Sequence, residues 1–145
     1  MLITGCAQRT AMNTEVGHLM TAPVLTADPE TPVEEIADGM LEKGIKSVVA
    51  VDDEGRPIGI LTSTDFVRIV AEGTPKSTTT VGDHMTEDIA TTQSDVAIPE
   101  IAERMVEYEI SHFPVVDEDG EAIGIISATD LTEYISGMAV REPSE

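Results

Sequence analysis

The sequence has no tryptophan, two phenylalanines and two tyrosines in 145 residues. With hydrophobic residues at 41%, a core is affordable, but it must be aliphatic. Cys6 is the single cysteine, so no internal disulfide can form. No stretch of 18 apolar residues exists, so no helix spans a membrane. Basic residues are scarce: 8 against 28 acidic ones, net −20, a surface that repels nucleic acid and anionic membranes. Catalytic signatures are missing too. There is no Gly-x-Ser-x-Gly elbow, phosphate-binding P-loop or His-Glu-x-x-His pair. His18, His84 and His112 have no metal-ligand spacing, and Cys6 has no base near it in sequence. These absences argue against an enzyme and against a metal site.

What the sequence does have is a copy of itself, 65 residues on. Val16-Gly17 matches Val81-Gly82, and Met20-Thr21 matches Met85-Thr86. Glu35-Ile36-Ala37 matches Glu100-Ile101-Ala102, and Ile58-Gly59-Ile60 matches Ile123-Gly124-Ile125. Thr64-Asp65 matches Thr129-Asp130, and no gap is needed from Val16 to Leu131. A fixed period marks one supersecondary unit used twice, each copy covering what the other exposes. A single copy is near the lower limit for independent folding. Function is therefore expected at or near a pseudo-twofold axis. The boundaries read as an N-terminal extension (1–15), unit one (16–72), a polar linker (73–80), unit two (81–137) and a tail (138–145).

The extension is expected to be disordered, with Met12 as a natural initiator. Its Leu2-Ile3-Thr4-Gly5-Cys6 resembles the end of a lipoprotein signal but lacks the charged start and the apolar segment. The acidic residues are scattered and only Lys43, Lys46 and Lys76 are lysines. This composition resembles that of proteins from salt-loving archaea, where screening shortens the reach of self-repulsion. A cytoplasmic location is expected.

Each unit reads as β-α-β-β-α. A short apolar stretch, Val24-Leu25-Thr26 or Ile89-Ala90-Thr91, predicts a first strand. Thr31 is the expected N-cap of the next helix, with Pro32 in its first turn and Glu34 at the capping-box position. Ser94-Asp95 and Pro99 play these parts in the second unit. The stripe Val33, Ile36, Ala37, Met40, Leu41 recurs as Ile98, Ile101, Ala102, Met105, Val106 and predicts one buried face. Its methionines read as core filler. Gly44 is placed to end the first helix. Ser47–Val51 and His112–Val116 predict strands, followed by turns ending at Gly55 and Gly120 and by strands Pro57–Leu61 and Ala122–Ile126. The acidic turns lack the oxygen set of a calcium loop and read as plain turns. A closing helix follows, with Phe66, Val67, Ile69 and Val70 as its apolar side in unit one.

This order, with Gly59-Ile60-Leu61-Thr62-Ser63-Thr64-Asp65 and Gly124-Ile125-Ile126-Ser127-Ala128-Thr129-Asp130 at the ends, resembles the CBS (cystathionine β-synthase) domain. The openings Val16–Thr21 and Val81–Thr86 and the run Ser111-His112-Phe113-Pro114-Val115-Val116-Asp117 are similar to the family as well. The resemblance implies an α/β (α+β) fold: two units related by pseudo-twofold symmetry, each a three-stranded sheet with two helices, paired through their sheets. It further implies a homodimer and binding of an adenosine-containing ligand: AMP, ADP, ATP, S-adenosylmethionine or a relative. By that resemblance Asp65 and Asp130 hold the ribose hydroxyls, while Thr62, Thr64, Ser127 and Thr129 serve the sugar or phosphate. Val24 and Ile89 line the adenine slot. Lys46-Ser47 and Ser111-His112, with Phe113 and Pro114 following, lie near the phosphates.

The chemistry agrees. A carboxylate accepts from two vicinal hydroxyls, and a hydroxyl with free N–H groups at a helix start seats a phosphate. The structural alternative is that Thr62, Ser127, Asp65 and Asp130 only cap their helices. The two sites are unequal, since Arg56 and Arg68 become Glu121 and Glu133 in the second unit. The sequence leaves open which unit's basic residues reach which aspartate. A ligand with little phosphate charge is easier to reconcile with net −20 than ATP is. The functional expectation is a regulatory sensor, with no catalytic cofactor, that signals to a partner protein through dimer geometry. A structural dimerisation or scaffold module is the alternative, and a regulator excised from a larger enzyme or channel is a third reading.

Overall fold

The structure is a computed structural model that describes residues 14–73, 75 and 78–140. The expectations placed on residues 1–13, including Cys6 and Met12, and on the tail from 141 onward lie outside the described residues.

The elements run α1 (Val16–Leu19), β1 (Thr26–Ala27), α2 (Val33–Lys43), β2 (Ser47–Val51), β3 (Pro57–Thr62) and α3 (Ser63–Glu72). The second unit repeats them as α4 (Val81–His84), β4 (Thr92–Gln93), α5 (Ile98–Tyr108), β5 (His112–Val116), β6 (Ala122–Ser127) and α6 (Ala128–Val140). Each unit holds one mixed three-stranded sheet, ordered β1-β2-β3 or β4-β5-β6. The first pair in each is parallel and the second antiparallel. The hairpins turn at Gly55 (φ 84°) and Gly120 (φ 87°), a backbone region that glycine enters at no steric cost. In each turn one carboxylate, Asp52 or Asp117, accepts two backbone N–H groups through Oδ1.

Both faces of each sheet are buried. In the first, Val48, Ala50 and Leu61 face α2 and α3, joining Ile36, Met40 and Ile69. Val49 and Ile60, on the opposite face by the period-two alternation of a strand, meet Ile125 of the second unit. The corresponding helix-side core of unit two contains Ile101, Phe113, Val115 and Ile126. Three apolar cores thus stack, with the middle one between the units.

Four expectations are corrected. The first strands lie later than the apolar stretches, at Thr26–Ala27 and Thr92–Gln93, because Val24 and Ile89 pack instead on the core between the units. Helix α2 begins one residue later than expected, with Pro32 as N-cap and no side-chain cap. Thr31 and Val33 are taken up by cross-unit pairing, since Val81 N–H donates to Thr31 O and Val33 N–H to Thr79 O, both at 2.9 Å. Leu41 and Val106 do not enter the core; they are 84% and 79% exposed. Val67 and Val70 are likewise exposed, leaving Ile69 as the buried anchor of α3.

The structure adds an element that periodicity did not reveal. The opening helix of each unit is exchanged. Val16, Leu19 and Met20 pack in the core of unit two, and Val81 and Met85 in that of unit one. The chain after each helix is stitched by reciprocal backbone bonds, Thr21 with Ile125 and Thr86 with Ile60, at 2.8–3.1 Å. His18 supports this exchange. Its Nδ1 accepts from Glu15 N–H at 3.1 Å, the role that Asp83 fills for Thr80 in the other unit.

The exchanged segments come so close that β3 and β6 need a glycine beneath them. A Cβ on Gly59 would meet only the flexible Met85 side chain, 2.5 Å from its sulfur. On Gly124 it would also lie 2.9 Å from the backbone oxygen of Thr21. Gly124→Ala is therefore expected to destabilise by about 1–3 kcal/mol, and Gly59→Ala by less, because a methionine side chain can move aside. Urea denaturation of the two variants checks the order.

Candidate ligand clefts

The exchange brings the closing helix of one unit against the loops of the other and leaves two clefts. The first, of about 460 Å³, is walled by Ile60, Thr62, Thr64, Asp65 and Arg68 of unit one. Its opposite wall comes from unit two: Thr86, Asp88, Ile89 and Tyr108–His112. The second consists of two adjoining recesses of about 270 and 340 Å³ that share Thr21 and Ile45. Here Ile125, Ser127, Thr129, Asp130 and Glu133 face Thr21, Pro23, Val24 and residues 43–47. Position for position, at the offset of 65, the second cleft is the counterpart of the first.

In each cleft the aspartate is held by the helix start. Thr62 N–H and Oγ1–H donate to Asp65 Oδ2 at 2.7 and 3.2 Å, and Thr62 in turn forms a capping box on α3. Ser127 N–H and Oγ–H donate to Asp130 Oδ2 at 2.8 and 3.1 Å. The remaining oxygens differ. Asp65 Oδ1 accepts from Arg68 Nη1 at 3.2 Å, whereas among the described residues Asp130 Oδ1 receives no hydrogen bond. Two carboxylate oxygens offer about four acceptor sites, so capping leaves Asp130 room for two vicinal hydroxyls, while Asp65 has that room only when Arg68 gives up Oδ1. Capping and binding are thus compatible uses of one side chain.

Residues 16–72 and 81–137 each match the CBS domain. The chain belongs to the CBS domain family. It is 34% identical over 119 residues to the uncharacterized protein MK0525 of Methanopyrus kandleri, covering 81% of this chain and 61% of that one. Homoserine O-acetyltransferase of Methanococcus vannielii is 33% identical over 121 residues, 83% of this chain but 25% of the enzyme. The chain therefore spans less than two thirds of either relative. The CBS domain pair of protein MJ0100, solved with 5′-methylthioadenosine and S-adenosyl-L-methionine, superposes with a TM-score of 0.75 at 28% identity. That match covers 86% of this chain and 98% of that one.

The CBS pair brings most of the sequence-selected residues into its clefts, and it resolves the crossing that the sequence left open. Lys46 and Ser47 face Asp130, while Ser111 and His112 face Asp65. Phe113 and Pro114 line neither cleft. Both are fully buried, Phe113 in the helix-side core of unit two. Val24 reaches only the outer recess of the second cleft. Sequence reasoning passed over Arg68 as a direct partner of Asp65, although the three-residue spacing on a helix signals it. It also passed over Tyr108, Glu109, Thr21 and Thr86, which reach the clefts only through the exchange and pairing of units. The turn carboxylates Asp117, Asp119 and Glu121 lie within 4.8 Å of one another, but Asp117 Oδ1 is occupied by two backbone N–H groups.

His112 belongs to both clefts of the CBS pair. Its Nδ1 lies 3.1 Å from Ser111 Oγ. Burial pushes its pKa down, with Asp130 and then Asp65 pulling partly the other way. A histidine whose folded pKa lies below its unfolded value of about 6.5 favours the folded state fully above that value. The contribution falls away as the pH drops through the window between the two values. His112→Gln is therefore expected to flatten the loss of stability below pH about 6.5, read from urea midpoints of variant and wild type against pH.

Proposed function

We propose that this CBS pair is a regulatory module that binds adenosine-containing ligands in its two clefts and passes occupancy to a partner protein through the geometry of a homodimer. The reading rests on one arrangement above all: a carboxylate fixed at a capped helix start, beside branched apolar side chains contributed by both units. The carboxylate suits ribose hydroxyls. Ile60 and Ile89 in one cleft, and Ile125 with Val24 in the other, suit a flat purine. The volumes fall in the range of small-molecule sites. The ligands of the MJ0100 pair, 5′-methylthioadenosine and S-adenosyl-L-methionine, are of this class. The module itself is proposed to be non-catalytic, since enzyme-named relatives such as homoserine O-acetyltransferase share only a minor part of their length with it.

Calorimetric titration with AMP, ADP, ATP, S-adenosylmethionine and 5′-methylthioadenosine tests the reading. At least one is expected to bind, and Asp65→Asn or Asp130→Asn to weaken it 10–100-fold, the loss of about 1.5–3 kcal/mol expected for a hydrogen bond to a charged group. The scaffold alternative draws on the capping boxes that already engage both aspartates. It predicts lowered thermal stability in these variants and no ligand binding to folded wild type.

The proposed dimer rests on exposed apolar residues that are themselves duplicated. Leu41 pairs with Val106 across the offset of 65, and Val70 with Ile135, all of them at least 69% exposed. A surface with pseudo-twofold symmetry suits an isologous contact with a second copy. Leu41→Glu combined with Val106→Glu is expected to convert a dimer to a monomer in sedimentation equilibrium while leaving the circular dichroism unchanged. A wild-type monomer at tens of micromolar would sink the dimer.

A further inference from the structure

The two clefts share a plan and differ in charge. In the Asp65 cleft the flanking carboxylates Asp88 and Glu109 stand against one arginine, Arg68, which is already bonded to Asp65. At the counterpart positions of Asp88 and Glu109 the Asp130 cleft has Pro23 and Gly44. At those of Tyr108 and Ser111 it has Lys43 and Lys46, and Glu133 replaces Arg68. Two of the three lysines of a chain with net charge −20 thus border one cleft.

Backbone geometry sharpens the contrast. Unit one ends helix α2 with Gly44 at φ 66°, whereas unit two ends α5 with Glu109 at φ 55°. Glu109 is the one non-glycine residue with positive φ among the described residues. A side chain kept where the backbone favours glycine, and at the rim of a cleft, is the kind of local strain that gathers at binding sites.

We propose that the clefts are sorted by ligand charge. The Asp130 cleft takes an adenosyl ligand with an anionic 5′ group such as a phosphate, and the Asp65 cleft takes one whose 5′ group is neutral or cationic. This assignment rests on the adenosyl reading of the clefts. Lys46 and Lys43 supply the cationic donors that a phosphate needs, and Ser47 adds a hydroxyl. In the other cleft Asp88 and Glu109 repel a phosphate and attract a sulfonium or an amine, while Tyr108 offers an aromatic ring beside the acids. Among the described residues the side chain of Lys46 has no hydrogen-bond or ion-pair partner; its backbone oxygen is engaged by Ser63 N–H and Oγ–H at 3.0 and 3.2 Å. His112 reaches both clefts and is common to them, so the remaining cations and anions decide the difference.

The test uses AMP and S-adenosylmethionine, which share the adenosine and differ in the charge at its 5′ end. Both are titrated calorimetrically into wild type, Asp65→Asn, Asp130→Asn, Lys46→Glu and Asp88→Lys, each first shown to melt cooperatively. AMP binding is expected to weaken about 10–100-fold in Asp130→Asn and about tenfold or more in Lys46→Glu. S-adenosylmethionine is expected to follow Asp65→Asn and to respond far less to Lys46→Glu. Asp88→Lys, on an exposed loop, is expected to let AMP enter the Asp65 cleft as a second site. The preference of each ligand should also shrink between about 0.1 M and about 1 M salt as the Debye length falls from about 10 to about 3 Å. If both ligands depend on the same aspartate, or Lys46→Glu weakens them equally, charge sorting is overturned while adenosyl binding stands. If neither ligand binds the folded wild type, the adenosyl reading falls and this assignment with it.

Discussion

The structure depends on a reciprocal exchange in which each half completes the other. Val16 of the first unit is fully buried in the second, and Val81 of the second in the first. Without this exchange each unit would lack a wall of its helix-side core, and the edges of β3 and β6 would lose the partners that Thr86 and Thr21 provide. The central core of Val49, Ile60 and Ile125 adds a second bond between the halves. Units of this size bury too little surface to be secure alone. Burial of both faces of both sheets makes the pair, rather than the unit, the folding entity.

The same constraint creates the clefts. Because the opening segment of one unit is pinned to the last strand of the other, Thr21 lies beside Ile125 and Thr86 beside Ile60, at the mouths where α6 and α3 begin. Each aspartate then serves two purposes. Toward its own helix it satisfies a backbone donor that would otherwise be orphaned, and toward the cleft it presents a fixed negative acceptor. A carboxylate held at 2.7–2.8 Å from a backbone N–H cannot swing away when the cleft is empty. Such pre-organisation would lower the ordering cost of the proposed binding.

Charge has two scales in this protein. The excess of 20 negative charges governs the surface as a whole, its solubility and its aversion to polyanions. Within a cleft the few nearest groups dominate, because screening removes the contribution of charges a Debye length away. A strongly acidic protein can therefore hold a recess in which cations balance the acids, as it does where Lys43 and Lys46 meet Asp130 and Glu133 at the start of α6. The duplicated ancestral plan supplies two equivalent positions, and substitution at those positions makes them chemically different.

The sequence by itself determined the repeat, the β-α-β-β-α order that follows each opening helix and the turn glycines, because these depend on local signals: period and φ > 0. It also determined which side chains, Asp65 and Asp130 with Thr62 and Ser127, stand at the helix starts. It was misled at Leu41, Val106, Val67 and Val70, whose helical spacing suits a core, because periodicity cannot tell a face covered within the chain from one left bare. It was misled at Phe113 because neighbours along a strand point to opposite faces, and at Pro114 because that residue, though on the same face as His112, is fully buried further along the strand. Only the tertiary structure decided that Lys46 lines the cleft of Asp130 and His112 borders both clefts, and that the opening helices change places. Those are contacts between residues far apart in sequence, set by how two sheets pack, and no local interaction in the chain encodes them.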